Sequence, residues 1–192
     1  MTEKEKMIAG KPYNAADSQL KKERLNAQRT CFRYNQTEPK HMKERKSIIR
    51  GLFGNTDAMF CVEQPFLCDY GYNISIKNNF FSNYNLTILD CAKVDIGENV
   101  VIGPNVSIFT AGHPIHPETR NSGLEHALPI TIGNNVWIGG NVVINPNVSI
   151  GDNTVIGSGS VVTKDIPANV VAVGNPCKVS RRITDDDKNY DY

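Results

Sequence analysis

The chain has 192 residues, 40% of them hydrophobic, which suffices for one domain with a small appendage but not for two large domains. Its 21 Lys and Arg nearly balance 20 Asp and Glu, although the basic residues concentrate in residues 1–50. There they alternate with apolar residues at helical spacing and lack the interleaved aromatic residues of single-strand binders, so we expect no nucleic-acid partner.

Residues 1–58 are predicted to form a helical region. Asp17 or Ser18 can begin a first helix, because either side chain can accept a hydrogen bond from the free N–H groups of a helix start. We expect this helix to end at about Tyr34. At a period of 3.6 residues, its apolar face comprises Leu20, Ala27, Cys31 and Tyr34.

A second helix is predicted from Thr37–Pro39 to about Gly54. Proline is favoured at the first position of a helix, and glycine is typical just after the last one. The apolar stripe of this helix is predicted to comprise Met42, Ile48, Ile49, Leu52 and Phe53.

From about residue 70 the dominant pattern is an internal repeat of six residues. One aliphatic series comprises Ile96, Ile102, Ile108, Ile132, Ile138, Ile144, Ile150, Ile156 and Val162. A second series lies two positions earlier and comprises Val94, Val100, Val106, Val136, Val142 and Val148. Neither an α-helix nor a single strand has this period, whereas a three-sided solenoid does.

In such a solenoid each six-residue repeat forms one short flat side. We expect one aliphatic side chain of each repeat to point inward, and the Gly and Asn between repeats to form the corners, because both tolerate a positive φ. The predicted fold class is therefore mainly β, a parallel β-helix of hexapeptide repeats over residues 59–182 with a small N-terminal helical region. Residues 183–192 are predicted to be a charged tail, either a short helix or disordered.

Residues 109–131 do not fit the repeat, although its phase survives across them. We predict a loop that leaves the coil, and such excursions often carry function. The loop contains His113, His116 and His126, which could in principle hold zinc. Two prolines stiffen their spacing, and no cysteine or carboxylate completes an obvious ligand set, so we expect no metal.

His113 is instead predicted to be a general base. An imidazole ordinarily titrates near neutral pH, so it can take a proton from an alcohol and return it to a leaving group. The alternative is a histidine with a purely structural role in the loop.

The cysteines and the absence of long apolar runs indicate the cellular compartment of the protein. No stretch approaches the run of about 18 apolar residues that a membrane span needs, and the charged N-terminus lacks the apolar segment of a signal peptide. Five cysteines without a CxxC pair favour reduced thiols over a disulfide framework. We therefore expect no membrane contact and a cytoplasmic location.

Residues 70–182 resemble the sugar O-acetyltransferases of the maltose and galactoside acetyltransferase family, and the helical region resembles that family's small N-terminal region. The stretches that carry the resemblance are MIAGKPY at 7–13, CDYGYNI at 68–74, NFFSNYN at 79–85, GHP at 112–114, IGNNVWIGG at 132–140, TKDIP at 163–167 and GNPCK at 174–178.

The resemblance implies a left-handed parallel β-helix, a homotrimer with active sites between subunits, and direct transfer of an acetyl group from acetyl-CoA to a hydroxyl of a small sugar. It implies that His113 is the catalytic base. The residues implied to bind the sugar are Asp17, Asp69 and Asn83. Those implied on the side of the coenzyme are Trp137 and Gly140 at the acetyl group and thioester, Ser158, Thr163 and Lys164 along the solenoid, and Lys178 and Arg181 at the phosphates.

The residues themselves leave alternatives open. Trp137 could pack at a subunit contact, Asn83 and Asn85 could be corner residues, Asp69 could cap a turn, and Lys164 could be a solvated charge. Galactoside-type members carry an acidic residue in place of Cys91 and a serine in place of Asp69, and CDYGYNI is closer to the maltose-type branch, so the natural sugar stays open. The alternative functions are an acetyltransferase acting on an antibiotic or other xenobiotic hydroxyl, and a non-enzymatic β-solenoid that binds partners.

Overall fold

The structure is a computed structural model that describes residues 1–189. Within this range the chain forms four α-helices and one 3-10 helix. The α-helices are α1 (Glu3–Ile8), α2 (Ser18–Gln36), α3 (Met42–Leu52) and α4 (Pro117–Asn121), and the 3-10 helix is Asp185–Lys188.

Twenty short strands, counted over the same residues, make up the rest of the regular structure. The first ten are β1 (Tyr13–Asn14), β2 (Asn55–Thr56), β3 (Phe60–Val62), β4 (Phe66–Cys68), β5 (Ile74–Ile76), β6 (Phe80–Ser82), β7 (Leu86–Leu89), β8 (Val94–Ile96), β9 (Val101–Ile102) and β10 (Ser107–Phe109). The others are β11 (Ala111–Gly112), β12 (Leu124–Ala127), β13 (Ile130–Ile132), β14 (Trp137–Ile138), β15 (Val143–Ile144), β16 (Ser149–Ile150), β17 (Val155–Ile156), β18 (Val161–Val162), β19 (Val170–Val173) and β20 (Lys178–Arg182).

Three parallel sheets form the three sides of a solenoid. Sheet I has the order β2-β5-β8-β13-β16, sheet II the order β3-β6-β9-β14-β17-β19-β20, and sheet III the order β4-β7-β10-β15-β18. Successive strands of the chain belong to different sheets, and equivalent residues stack, as Ile96 does on Ile132 and Ile132 on Ile150. The predicted fold class, a mainly β hexapeptide-repeat β-helix, is confirmed. The exception to the parallel pairing is β20, which returns antiparallel to β19.

Most repeats point two aliphatic side chains into the core, and in the last coils Thr154 and Ser160 take the earlier of the two inward positions. Val100 and Ile102 both have 0% exposure, and Val106 and Ile108 repeat this pattern. The expectation of one inward aliphatic per repeat was therefore wrong. Residues two positions apart in an extended segment face the same side, so the earlier valine and the later isoleucine both reach the interior.

Asparagine and glycine have different roles at the corners. Within residues 1–189 nine asparagines have a positive φ: Asn79, Asn85, Asn99, Asn105, Asn135, Asn141, Asn147, Asn153 and Asn169. Among the repeat glycines, Gly159 has a positive φ of 75° at such a corner, whereas Gly139 does not, so the prediction that glycine supplies positive φ holds for Gly159 and was wrong for Gly139. Gly139 is required by stacking instead, because a Cβ atom there would lie 2.6 Å from the backbone nitrogen of Ser158 in the next coil.

The first helix of the predicted pair, α2, forms nearly as expected. The Asp17 carboxylate accepts hydrogen bonds from the N–H groups of Gln19 and Leu20, which fixes the helix start. The helix continues to Gln36, two residues beyond the predicted end. Its predicted apolar face is confirmed, because the buried residues are Leu20, Ala27, Cys31 and Tyr34.

The second helix, α3, begins at Met42 and not at Thr37–Pro39, so the predicted start was wrong. The N–H of His41 bonds to the carbonyl of Glu38, which makes a separate turn before the helix. Met42 was wrongly assigned to the apolar stripe and is 63% exposed. The first residue of α3 that is buried against the rest of the protein is instead Arg45.

Arg45 joins the helical region to the first coil. Its guanidinium lies 2.8 Å from the Glu63 carboxylate and donates at 2.9 Å to the carbonyl of Val62. The Tyr34 hydroxyl donates to the same carbonyl. The helices thereby cover the end of the solenoid, where open strand edges would otherwise be exposed.

The excursion of residues 109–131 is ordered and does not form an open loop. β11 and β12 form an antiparallel hairpin, α4 lies between them in the chain, and β12 also pairs with β1 near the N-terminus. The excursion is therefore tied to the helical region. At the other end, the predicted tail contains the 3-10 helix as far as it is described, and residues 190–192 lie outside the described residues. None of the helices of residues 1–189 is long and apolar enough to cross a membrane.

Candidate active site

The hairpin of the excursion presents His113 at the surface. Gly112, the last residue of β11, pairs with His126 on β12. A Cβ atom at Gly112 would lie 2.8 Å from the Nε2 atom of His126, so a glycine is needed here for the two strands to approach. His113 follows directly and is exposed, with its backbone held by the paired strand before it.

A small apolar cluster under the hairpin connects it to the rest of the protein. It draws on α1, β1, α2, the turn after β4 and the segment after β7. Its buried members are Met7, Tyr13, Leu20, Tyr70, Cys91, Ala92 and Ala127. Because these parts pack as one unit, the hairpin cannot shift without moving the segments around Asp17 and Asp69.

Polar groups beside this cluster form linked contacts. The Tyr13 hydroxyl donates to Glu125 on β12 at 2.9 Å, and the Cys91 thiol donates to Asp69 at 3.4 Å. The Arg24 guanidinium donates to the hydroxyl of Tyr70 at 2.6 Å. Burial raises the pKa of the Asp69 carboxyl, while the Cys91 thiol and the Arg24 charge oppose this rise.

Asp90 supports the turn that carries Asp69. It is fully buried and accepts hydrogen bonds from the backbone N–H groups of Asp69 (3.1 Å) and Tyr70 (2.8 Å), while Asn73 contacts its second oxygen. Burial raises the pKa of Asp90 to about 7. The turn is therefore capped by Asp90, and the alternative that Asp69 serves as a turn cap loses its basis, because its carboxylate contacts Cys91.

Asp17 and Asn83 retain hydrogen-bonding capacity. Asp17 caps α2 through its Oδ1 atom alone, and no described residue bonds to its Oδ2 atom. Asn83 follows β6 and accepts a hydrogen bond from the N–H of Tyr84 at 2.8 Å. Asn85 has the positive φ of a corner residue and Asn83 does not, so the corner alternative holds for Asn85 only.

The residues implied to contact the coenzyme lie on the later coils. Trp137 is on sheet II and is 52% exposed. Gly140 follows it in the next corner, where its carbonyl accepts from Gly159 and its N–H donates to no backbone carbonyl of the described chain. The remaining members of this group, all exposed, are Ser158, Thr163, Lys164, Lys178 and Arg181.

Arg181 is already engaged in this structure. Its guanidinium makes two hydrogen bonds to the Asp187 carboxylate, at 2.6 and 2.8 Å. A bidentate pair of this kind is the geometry that arginine also uses for phosphate. A phosphate would therefore have to displace Asp187 to reach Arg181.

Four residues near the site were not identified from the sequence: Tyr13, Arg24, Asp90 and Glu125. The pair Tyr13 and Glu125 is separated by 112 residues, so no local pattern could reveal it. Asp90 lies in a strand-end position that reads as an ordinary polar corner. Among residues 1–189 no group of three or more His, Cys, Asp and Glu side chains is arranged to hold a metal ion.

Comparison with known families supports the resemblance. The maltose acetyltransferase hexapeptide capping motif matches residues 6–57, and the six-repeat bacterial transferase hexapeptide family matches residues 129–164. The chain is 48% identical over 186 residues to the galactoside O-acetyltransferase of Escherichia coli, and the match covers 97% of this chain and 92% of that protein.

Solved structures agree with this result. The crystal structure of a maltose O-acetyltransferase from Clostridium difficile 630 is 53% identical, with a TM-score of 0.94 over 96% of this chain and 99% of that one. The chain belongs to the maltose and galactoside O-acetyltransferase family. A galactoside acetyltransferase in complex with coenzyme A is another member, 48% identical with a TM-score of 0.96 over 100% of this chain and 96% of that one.

Family membership confirms the resemblance drawn from the sequence and the assignment of the chain to the acetyltransferases. The matched capping motif also agrees with a distinct N-terminal helical region.

Proposed function

We propose that the protein transfers an acetyl group from acetyl-CoA directly to a hydroxyl of a small sugar of the maltose, glucose or galactoside type. The observation that carries this proposal is the packing of the His113 hairpin. β12 pairs with β1 and the Tyr13 hydroxyl bonds to Glu125, so the segments that carry His113, Asp17 and Asp69 pack against one buried cluster. Family membership supplies the reaction class.

His113 acts as the general base in this proposal. It takes the proton of the sugar hydroxyl while the oxygen attacks the thioester carbon. The tetrahedral intermediate then collapses, the carbon–sulfur bond breaks, and the coenzyme leaves as a thiolate that receives the proton. A positioned base of this kind contributes about 10²–10⁴-fold to the rate.

In this proposal Gly140 donates a hydrogen bond to the thioester carbonyl oxygen, which becomes negatively charged in the tetrahedral intermediate. Within residues 1–189 the N–H of Gly140 has no backbone partner, so it can donate to the thioester carbonyl. A backbone donor of this type contributes about 10²–10³-fold in other acyl-transfer enzymes. The thioester is already activated, so no covalent enzyme intermediate and no metal are required.

The acceptor side is formed by Asp17, Asp69 and Asn83. The Oδ2 atom of Asp17, to which none of residues 1–189 bonds, and the Nδ2 group of Asn83 offer an acceptor and donors for sugar hydroxyls. Asp69 is partly held by Cys91, and both positions differ from the galactoside-type pattern. We therefore propose that Asp69 and Cys91 make the acceptor preference of this protein differ from that of galactoside-type members.

The donor side follows the outer surface of the later coils. The exposed indole of Trp137 offers an apolar surface for the pantetheine arm, and Ser158 and Thr163 offer hydroxyls beside it. Lys164, Lys178 and Arg181 supply positive charge for the phosphates. A known relative was solved with coenzyme A, which supports a donor of this class.

Changing the charge of Lys164 is expected to weaken acetyl-CoA binding. Lys164→Glu, and separately Arg181→Glu, should raise the KM for acetyl-CoA by about tenfold, because a charge-assisted contact to phosphate contributes roughly 1.5 kcal/mol. The KM for the sugar should stay near that of the wild type. Lys43→Glu, at an exposed position of α3, is the matched control. If acetyl-CoA kinetics were unchanged in both variants, the coenzyme would have to bind elsewhere.

The outward faces of sheets I and II differ in polarity, and the face of sheet II favours self-association. Sheet I presents polar residues, namely Ser75, Asp95, Thr131 and Ser149. Sheet II presents a continuous apolar row, namely Phe81, Val101, Trp137, Val155 and Val171. A row of this kind is typical of a surface that is covered by a partner.

We include a homotrimer and a cytoplasmic location in the proposal. A closed cyclic assembly would cover the apolar row of sheet II with a copy of the chain and leave the polar side in water. The groove between two copies would bring the excursion of one beside the coils of the next. Trp137 could then contact the coenzyme and the neighbouring chain together.

The trimer predicts both a mass and a complementation result. Light scattering should give about three times 21.3 kDa, as closed threefold symmetry requires. Co-expressed His113→Ala chains and Trp137→Ala/Lys164→Glu chains should recover part of the activity that each lacks alone, because some grooves would then combine two intact halves. A fully active monomer would refute the shared site.

The proposed reaction can be separated from its alternatives with one panel. Acetyl-CoA is incubated with maltose, glucose, a galactoside and an antibiotic bearing a free hydroxyl, and release of the coenzyme thiol is followed. Turnover with the sugars supports the proposal. Turnover with the antibiotic alone would indicate the xenobiotic enzyme, and no turnover with any acceptor would favour the binding solenoid.

A further inference from the structure

Two buried cysteines face each other between the helical region and the β-helix. Cys31 lies on the inward side of α2 and Cys68 is the last residue of β4. Their sulfur atoms are 3.7 Å apart, and the side chains are exposed by only 1% and 6%. Nothing in the acetyl-transfer mechanism uses this pair.

Asn35 sets the position of the helix against the strand. Its side chain donates to the carbonyl of Phe66 at 3.0 Å and accepts from the N–H of Phe66 at 2.9 Å, as a neighbouring strand would. Cys31 lies four residues earlier in α2, a rise of about 6 Å, and Cys68 lies two residues later in β4, a rise of about 6.6 Å. Because the two distances from the Asn35–Phe66 contact are similar, the two sulfur atoms lie opposite each other. The geometry of the helix and the strand therefore determines their contact.

The two thiols differ in their acidity. The hydrogen bond from Cys68 lowers the pKa of Cys31, whereas the same contact, followed by burial, raises the pKa of Cys68. Either sulfur can donate in this contact, and a Cys68 donor stabilises a thiolate at Cys31. The thiolate is the nucleophilic form of cysteine in oxidation reactions.

We propose that Cys31 and Cys68 form a reversible oxidation site, at which a peroxide closes a disulfide between α2 and β4. The Cys31 thiolate attacks a peroxide oxygen, the oxygen–oxygen bond breaks, and a sulfenic acid and hydroxide form. The sulfur of Cys68 then gives up its proton, attacks the sulfenic sulfur and expels a second hydroxide. Together the two thiols lose two protons and two electrons, and hydrogen peroxide is reduced to two water molecules.

The structure requires only a small rearrangement for this step. A disulfide has a sulfur–sulfur distance of about 2.05 Å, so the two atoms must approach by roughly 1.7 Å. The closed loop would span residues 31–68 and contain all of α3. A cross-link over such a loop restricts the unfolded chain, so we expect the oxidised protein to be more stable than the reduced one.

The experiment uses the full-length protein. Reduced protein is treated with hydrogen peroxide and, in parallel, with the thiol oxidant diamide, then alkylated in denaturant, digested and analysed by mass spectrometry. A peptide containing Cys31 should be linked to one containing Cys68, and dithiothreitol should separate them. The Tm of the oxidised protein should rise by about 5–10 °C relative to the reduced protein.

Variants separate this pair from the other thiols. Cys31→Ser and Cys68→Ala should each lose both the linked peptide and the rise in Tm, whereas Cys61→Ser should keep both. The comparison of oxidised with reduced wild type needs no substitution, so a poorly folded variant does not weaken the test. Five unlinked thiols after both oxidants, a link between another pair or between two chains, or a linked protein without a rise in Tm would overturn the proposal.

Discussion

Replacing His113 by alanine is expected to lower kcat by at least about 10²-fold while the KM for acetyl-CoA changes little. The side chain is exposed on the hairpin and contributes nothing to the buried cluster below it, so its loss should not affect folding. The measurement is steady-state kinetics with the best acceptor of the sugar panel, with the thermal transition recorded for each protein.

His116 provides a matched control in the same excursion. It is exposed and precedes α4 without capping it through its side chain. His116→Ala should therefore keep nearly the turnover of the wild type. If His113→Ala also turned over normally, the base would have to be another group and the proposed mechanism would fail.

Replacing Arg45 by alanine is expected to destabilise the protein by roughly 3 kcal/mol. Arg45 is 6% exposed and donates to Glu63, to the carbonyl of Val62 and to the carbonyl of Pro39. Its removal leaves the partly buried Glu63 carboxylate without its counter-charge and takes a donor from the carbonyls of Pro39 and Val62, of which Val62 keeps the Tyr34 hydroxyl. For a chain of this size the Tm should fall by about 6–12 °C.

Arg29 is the control for this substitution. It is an exposed arginine on α2, and Arg29→Ala should change the free energy of unfolding by no more than about 0.5 kcal/mol. Thermal or denaturant unfolding of both variants gives the comparison. Equal effects of the two substitutions would show that the Arg45 contacts do not hold the helical region to the solenoid.

The β-helix could be predicted from the sequence because stacking repeats one geometry in every coil. Each six-residue segment meets the same neighbours, so the aliphatic positions recur as Ile96, Ile102 and Ile108 do. The number of inward side chains per repeat was harder to predict, because the position of Val100 could equally have been a corner. Its burial follows from the alternation of the backbone.

The roles of glycine and asparagine at the corners could not be separated by pattern. Both residue types tolerate positive φ, and both use it here: nine asparagines within residues 1–189 have a positive φ, and so does Gly159, whereas Gly139 does not. The demand for glycine at Gly139 comes from a backbone atom of the next coil, at Ser158. Contacts between coils are a property of the stack, and a single repeat does not contain them.

The candidate site was predicted in part for a similar reason. His113 stood out because it interrupts a strict repeat. The hairpin that holds it depends on β1, which is remote in sequence, and the proline before α3 suggested a helix start that the turn at His41 replaces. Pairing between distant segments and competition between two possible helix starts are both decided by tertiary packing.

The most direct test of the proposed reaction follows the acetyl group itself. The protein is incubated with acetyl-CoA labelled with carbon-13 in the acetyl carbonyl and with the preferred sugar, and both the sugar and the intact protein are examined by mass spectrometry and NMR. We predict one labelled O-acetyl ester on the sugar, formed together with free coenzyme A, and no label on the protein. A labelled protein intermediate, or coenzyme release without a sugar ester, would contradict direct transfer to a sugar hydroxyl.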